Sequence, residues 1–266
     1  MSVCPTPGRF EVHAHILPGV DDGCPSIDES LTCARHLVDC GYRMLFCTPH
    51  IWPGYPENTW KNIVRWTKDL QAKFTAGGLP LQLFPGGEIN LPGMWPTLSH
   101  WDRADVPTYG VDGRYVLIDF WADALPPEFE PGVRHLQSLG LTVILAHPER
   151  IEAFHNDPVL IDRVAEMGVL FQGNLQCFRD PPDSPTRMAV ERFSKEGRYF
   201  LLATDLHRLD TLHPRLEGLR AAIDLLGYEL FDELTIHNPW KLLPDINSGQ
   251  QPRDAVSSDE FSGTPG

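Results

Sequence analysis

Residues 10–23, FEVHAHILPGVDDG, open on apolar–polar alternation and close on a glycine turn carrying two aspartates. Alternation over Phe10–Ile16 reads as a β-strand, because successive side chains of a strand point to opposite faces. His13 and His15 are then i and i+2, on one face at the strand's carboxyl end. Six further segments repeat the theme of a short apolar run, a polar or glycine turn, and an amphipathic helical stretch: Arg43–Thr48, Leu81–Pro85, Tyr115–Phe120, Thr142–Ala146, Val169–Gly173 and Tyr199–Thr204. The helical patterns are Ser30–Cys40, Thr59–Phe74, Pro131–Leu139, Asp157–Met167, Thr186–Glu196 and Pro214–Leu226. Ser26, three residues ahead of Glu29, reads as a capping box for the first of them. Gly41, Gly140, Gly168 and Gly197 follow four of the helices, where a left-handed residue belongs.

Strands alternating with helices predict an α/β fold with a parallel sheet and right-handed crossovers. Seven such units without an obvious linker predict a closed or nearly closed barrel in a single domain, residues 1–244, with an open doubly wound sheet as the alternative. Residues 245–266 turn polar and Gly/Ser/Pro-rich, the composition of a disordered tail.

Composition narrows the partners. Of 266 residues, 42% are hydrophobic and 22% charged, the mix of a soluble globular chain. No apolar run is long enough to span a membrane, and Met1–Gly8 lacks the basic and apolar regions of a signal peptide, so a cytoplasmic protein without membrane insertion is expected. Asp plus Glu (36) exceeds Lys plus Arg (22), giving −14, which disfavours nucleic acid as a general partner. The six cysteines, at 4, 24, 33, 40, 47 and 177, form no CxxC pair and no disulfide-framework spacing; free buried thiols are expected.

The chemistry collects where the strands end. The first leads through His13 and His15 to Asp21 and Asp22, the second to His50, and the third through Gly86-Gly87 into Glu88. The fourth carries Asp119, the fifth runs into His147, the sixth reaches Asn174, and the seventh runs into Asp205 and His207. In a parallel barrel all these ends open on one face, where active sites lie. Imidazoles and carboxylates without thiolates suit hard-to-borderline divalent metals. A lone histidine at a strand end is commonly structural, but six of seven strands deliver a ligand type at the same end. His13, His15, Asp22, His50, Glu88, Asp119, His147, Asp205 and His207 are too many for one tetrahedral ion, so two or three metals are implied. Asp21 reads as a turn former. His36, His100, His135 and His155 read as structural or solvated.

EVHAHILPGVDDG, TPH, GGEI, LIDF, LAHPERI and ATDLH, in this order, resemble the polymerase and histidinol phosphatase (PHP) superfamily. Within it they resemble the manganese-dependent protein-tyrosine phosphatases of bacterial capsule and exopolysaccharide operons. The resemblance implies a distorted (β/α)7 TIM-like barrel of the PHP type holding three metals, manganese first, with iron or zinc as alternatives. It makes His13, His15, Glu88 and Asp205 ligands of one metal. His50, Asp119 and His147 join a bridging Glu88 at a second, and Asp22 and His207 complete the third. Asp119 stands where the family usually has Glu, and its carboxylate reaches about one methylene less far. The family also usually carries Arg-Pro near His213-Pro214; Arg208 or His213 is the candidate to take over that arginine's hold on substrate.

Such a site would hydrolyse a phosphomonoester by attack of metal-activated hydroxide. Arg150 would neutralise phosphoryl charge, its alternative being a surface salt bridge with Glu149 or Glu152. His207 or a bound water would protonate the leaving oxygen, and Trp52 is the loop aromatic singled out to touch substrate. The cysteine route of common tyrosine phosphatases needs Cys-x5-Arg, and no cysteine here has Arg six positions later. The leading expectation is a phosphotyrosine-protein phosphatase acting on a bacterial tyrosine kinase. The alternatives are a small-molecule phosphatase of the histidinol-phosphatase type and a non-catalytic metal- or phosphate-binding regulatory module.

Overall fold

In the computed structural model, which describes residues 8–243, all seven expected runs form strands. In chain order the strands are β1 (Arg9–Ala14), β2 (Tyr42–Cys47), β3 (His50–Ile51), β4 (Gln82–Pro85), β5 (Glu88–Asn90), β6 (Tyr115–Asp119), β7 (Thr142–Ala146), β8 (Leu170–Asn174) and β9 (Tyr199–Ala203). The expected count of seven becomes nine because short strands follow two of the expected runs, β3 after Arg43–Thr48 and β5 after Leu81–Pro85. Thr48-Pro49 separates β2 from β3, and Gly86-Gly87 separates β4 from β5. Proline has no N–H for a ladder, and Gly86 lies against Thr48, where an added Cβ would meet the threonine methyl at 3.1 Å. The two breaks are therefore side by side.

All pairings between strands are parallel, in two sheets ordered β1-β2-β4 and β3-β5-β6-β7-β8-β9. Ala14 makes an isolated parallel bridge to Leu206, and the His15 amide donates to the Leu206 carbonyl at 2.6 Å, joining the first strand's end to the last's.

The helices are α1 (Ile27–Asp39), α2 (Trp60–Ala76), α3 (Leu91–Leu98), α4 (Phe129–Ser138), α5 (Glu152–Asn156), α6 (Leu160–Glu166), α7 (Pro185–Lys195), α8 (Leu209–Leu226), α9 (Tyr228–Asp232) and α10 (Asn238–Trp240). Gly41, Gly140, Gly168 and Gly197 all have positive φ, as their places after helices require. The helix expected from Asp157 starts instead at Leu160. Asp157 precedes a proline and is extended (φ −124, ψ 93), the conformation that proline imposes on its predecessor. The capping box at α1 is half formed: Ser26 Oγ accepts from the Glu29 amide at 3.3 Å, but the Glu29 carboxylate accepts from the Leu209 amide at 2.8 Å. Glu29 thus ties α1 to the start of α8, which begins five residues before Pro214 rather than at it.

Alternate strand residues feed two apolar clusters. Leu117, Ile144, Ala146, Leu201 and Ala203 join Phe10, Val12 and Phe46 in one, while Val116, Ile118, Val143, Leu145 and Leu202 pack under the helices in the other. Strands buried on both faces are what a parallel sheet requires. The five cysteines described are all free, and four are buried, as expected; Cys4 and the segment from residue 245 lie outside the described residues. No helix of the described residues is long and apolar enough to cross a membrane.

Candidate metal centre

Each candidate ligand sits at or just past a strand's carboxyl end, and local backbone geometry aims it. His147 and Asp205 follow β7 and β9 with left-handed φ of 36° and 53°. Non-glycine residues there cost about 1–3 kcal/mol each, strain that persists where surrounding structure fixes it. Gly23 lets the aspartate loop close on β1: an added Cβ would lie 2.0 Å from the His15 carbonyl oxygen.

Three groups of potential ligand atoms result, with the atoms of each within 4.8 Å of one another: His13, His15 and Glu88; Glu88, Asp119 and His147; and His15, Asp22, His50 and His207. Asp205 closes on the first, its Oδ1 lying 3.4 Å from His13 Nε2 and 3.5 Å from His15 Nε2. All nine expected ligands are brought together. One grouping differs from that implied by the resemblance. His50 joins Asp22, 3.3 Å from its Nε2, and His207, although its Nδ1 remains 2.8 Å from Glu88 Oε2.

Supporting hydrogen bonds present the free imidazole nitrogens inward. His13 Nδ1 donates to Gln172 Oε1 at 2.7 Å and His207 Nδ1 to the Asp205 carbonyl at 2.9 Å, leaving each Nε2 for a cation. His15 Nδ1 donates to Asp21 Oδ2 at 2.7 Å, and the same oxygen accepts from the His50 amide at 3.0 Å. The Asp21 side chain is fully buried. Its reading as a turn former is borne out by the Gly23 amide, which it accepts, and is extended by its hold on the His15 ring and the His50 backbone. Burial opposes its charge, yet the His15 imidazole and the His50 side outweigh this and hold its carboxyl below the usual range.

The electrostatics are those of a site short of positive charge. Burial disfavours ionising Glu88 and Asp205, yet neighbouring histidines hold both carboxyls well below the ordinary range. Burial and the charge of Glu88 push Asp119 up to about 7. Hydrogen bonding to His50 takes Asp22 down to about 2. Burial and then the charge of His15 push His207 down to about 4, which suits a neutral ligand better than a proton donor. Asp205 Oδ1 and His147 Nδ1 are buried without a hydrogen-bond partner, and Glu88 Oε2 and His50 Nδ1, though 2.8 Å apart, are not aligned for a hydrogen bond with each other or anything else. Orphaned buried polar atoms are costly, and oxygen and nitrogen donors converging in this way fit divalent cations.

The residues expected to hold substrate divide. Arg150 reaches the centre, Nη1 donating to Asp205 Oδ2 at 2.9 Å; Glu149 is buried and bonds the Asn174 amide and Tyr199 hydroxyl instead. Trp52 stacks on His50 with ring centroids 4.0 Å apart. Arg208 caps α8 and lies 3.5 Å from Asp210. His213 is 82% exposed beside Glu217 and does not join the cluster. Arg215 does: its Nη1 donates to the Thr204 carbonyl at 2.8 Å and lies 3.4 Å from Asp205 Oδ2. The buried series Leu212, Arg215, Gly218 and Ala222 marks α8's inner face, a spacing readable in the sequence once the helix start is known. Trp121 is the second residue that sequence reasoning passed over; its Nε1 donates to Asp119 Oδ2 at 2.9 Å.

Residues 9–244 match the family described as capsular polysaccharide synthesis, CpsB/CapC. The chain belongs to this family. Among CpsB/CapC relatives, the tyrosine-protein phosphatase CpsB of Streptococcus pneumoniae is 27% identical over 249 residues, 89% of this chain and 98% of that one. The tyrosine-protein phosphatase YwqE of Bacillus subtilis is 31% identical over 164 residues, 61% of this chain and 63% of that one. A solved structure from work on YwqE and CpsB, described as unique metal-dependent tyrosine phosphatases, superposes with a TM-score of 0.77 at 26% identity, covering 88% of this chain and 94% of that one. D-hydantoinase shares the fold alone, with a TM-score of 0.51 at 12% identity over 90% of this chain and 72% of its own. A mixed α/β fold with parallel sheets is thereby common to this CpsB/CapC chain and its structural neighbours, which are TIM-barrel-like.

Proposed function

We propose that this CpsB/CapC chain is a metal-dependent phosphomonoester hydrolase that removes phosphate from phosphotyrosine in a protein. The observation that carries this reading is the set of three contiguous ligand groups linked through Glu88 and His15, with Arg150 fixed beside them. Glu88 would be shared by two cations, the first also held by His13, His15 and Asp205, the second by Asp119 and His147. Asp22, His50 and His207 would hold a third. Bound divalent cations supply an acidified water for attack on phosphorus and positive charge for the phosphoryl oxygens. Arg150 is tethered to Asp205 through one nitrogen, and its remaining N–H groups would take phosphoryl oxygens. Mixed imidazole and carboxylate donors without a thiolate admit manganese, iron or zinc, and we assign manganese on the resemblance to the manganese-dependent phosphatases.

The fold reading we adopt is a seven-stave PHP-type barrel in one domain, with β2–β3 and β4–β5 as broken staves and the Ala14–Leu206 bridge as the closure. The relatives' names support a phosphotyrosyl substrate, and a bacterial tyrosine kinase of capsule or exopolysaccharide synthesis, met in the cytoplasm, is the partner proposed. The test is phosphate release from a phosphotyrosyl peptide with added Mn²⁺, beside a chelated sample and His147→Ala. Both controls should lose at least a hundredfold in kcat/KM. Release that survives chelation, or is confined to small phosphomonoesters, would overturn the reading.

A further inference from the structure

Trp121 is a large aromatic left 48% exposed at the mouth of a polar centre. Three contacts fix it there. Its indole N–H donates to Asp119 Oδ2 at 2.9 Å, and its ring stacks on His147, with centroids 5.2 Å apart and planes 28° apart. The Arg150 guanidinium carbon lies 4.9 Å from the ring centroid, while Arg150 Nη1 holds Asp205. The indole therefore stands between the Glu88–Asp119–His147 group and the arginine that would meet the phosphoryl oxygens.

We propose that Trp121 is the specificity-determining residue that favours an aryl over an alkyl phosphomonoester, an inference resting on the phosphatase reading above. A phosphate gripped between that group and Arg150 carries its ester substituent out of the centre past the indole. A phenyl ring on the bridging oxygen meets preorganised aromatic surface there, and aromatic pairing adds to plain area burial. The serine methylene offers little to stack. Because the indole is already anchored, little side-chain freedom is lost when the ring binds. Trp52 covers His50, over the third ligand group, and its indole nitrogen is buried without a partner; its more enclosed ring makes it a wall of the centre rather than the surface a leaving group first meets.

The experiment compares kcat/KM for a phosphotyrosyl peptide with that for the phosphoseryl peptide of the same sequence, in wild type, Trp121→Gln and Trp121→Phe. Glutamine keeps an N–H donor toward Asp119 but removes the ring; phenylalanine keeps a ring and removes the donor. Any effect through Asp119 or Arg150 acts on the phosphate common to both peptides and cancels in the ratio. The Tyr-to-Ser ratio should fall about five- to tenfold in Trp121→Gln and stay within about twofold of wild type in Trp121→Phe. An unchanged ratio in Trp121→Gln, or an equal fall in both variants, overturns the proposal while the phosphatase reading stands. Wild-type protein that releases phosphate from neither peptide overturns that reading, and this inference with it.

Discussion

Replacing Asp21 by asparagine separates two roles that the sequence alone leaves indistinguishable. As a turn former, Asp21 needs only an oxygen for the Gly23 amide, 3.0 Å from Oδ1, and asparagine supplies one as readily as aspartate. As a support for the metal centre, it must also accept from His15 Nδ1 at 2.7 Å and from the His50 amide at 3.0 Å. Asparagine has one carbonyl oxygen for these three donors. If that oxygen faces the two histidines, the NH2 group confronts the Gly23 amide; if it faces Gly23, NH2 confronts His15 and His50. The first orientation strands one donor and the second strands two, and the negative charge that makes the His15 ring a stronger ligand is lost in both. Removing such a support costs about 10–100-fold in metal affinity, roughly 1.4–2.7 kcal/mol. Mn²⁺ titration by calorimetry or equilibrium dialysis reads this directly, with kcat/KM against Mn²⁺ concentration as a parallel measure. Binding by Asp21→Asn indistinguishable from wild type would refute the supporting role and leave only the turn role.

Saturating Mn²⁺ should stabilise the fold. At about a hundredfold above Kd the linkage gain is about 2.7 kcal/mol, or ~5–10 °C in Tm for a chain of this size, and a chelator should reverse it. Arg215→Met should cost about 3 kcal/mol in urea unfolding, because it strips donors from the Thr204 carbonyl and a cation from buried Asp205; a loss below about 1 kcal/mol would show that Arg215 is not an anchor. Burial raises the Glu149 carboxyl from 4.5 to about 7, so the folded state prefers it protonated. Its stabilising contribution is full below about pH 4.5 and is lost as pH rises through about 7, at most about 3 kcal/mol. Glu149→Gln should remove that loss. Burial raises Glu11 to about 7 as well, so the difference between wild type and variant, not either slope, is the measurement.

The strand runs and the residues gathered at their ends are legible because both depend on short-range pattern. Apolar runs ending in His, Asp or Glu announce a parallel sheet and one edge of it together, and the nine candidate residues lie near one another. What stayed hidden depends on pairing in three dimensions. That Thr48-Pro49 lies beside Gly86-Gly87, with a short strand after each, needs the register of β2 with β4. That His50 turns toward Asp22 as well as Glu88 needs the path of a loop, which ligand types do not encode. Asp21's hold on His15 and His50 is hidden in the sequence because its turn role is local, while those partners lie 6 and 29 residues away.

The arginine that the family places near His213-Pro214 shows how a helix start decides a site's chemistry. Starting a helix at Pro214, as proline at a first turn invites, leaves His213 and Arg208 as the basic residues closest to the TDLH motif. The helix instead starts at Leu209, where the carboxylate of Glu29, in α1, accepts the Leu209 amide. The turns before Pro214 are then helical, and a spacing of three places Leu212, Arg215 and Gly218 on the inner face. Gly218 allows the approach, since an added Cβ there would lie 2.1 Å from the Leu175 carbonyl oxygen. Arg215 consequently reaches Asp205 from beneath while Arg150 reaches it from the rim. Asp205 thus pairs with one buried and one partly exposed guanidinium; Arg215 Nε has no hydrogen-bond partner but is buried, so only Arg150 offers exposed N–H groups to a phosphate. On the metal-dependent reading proposed above, Arg215 would anchor Asp205 rather than clamp a phosphate, and substituting it should lower stability and metal affinity before it alters the KM for substrate.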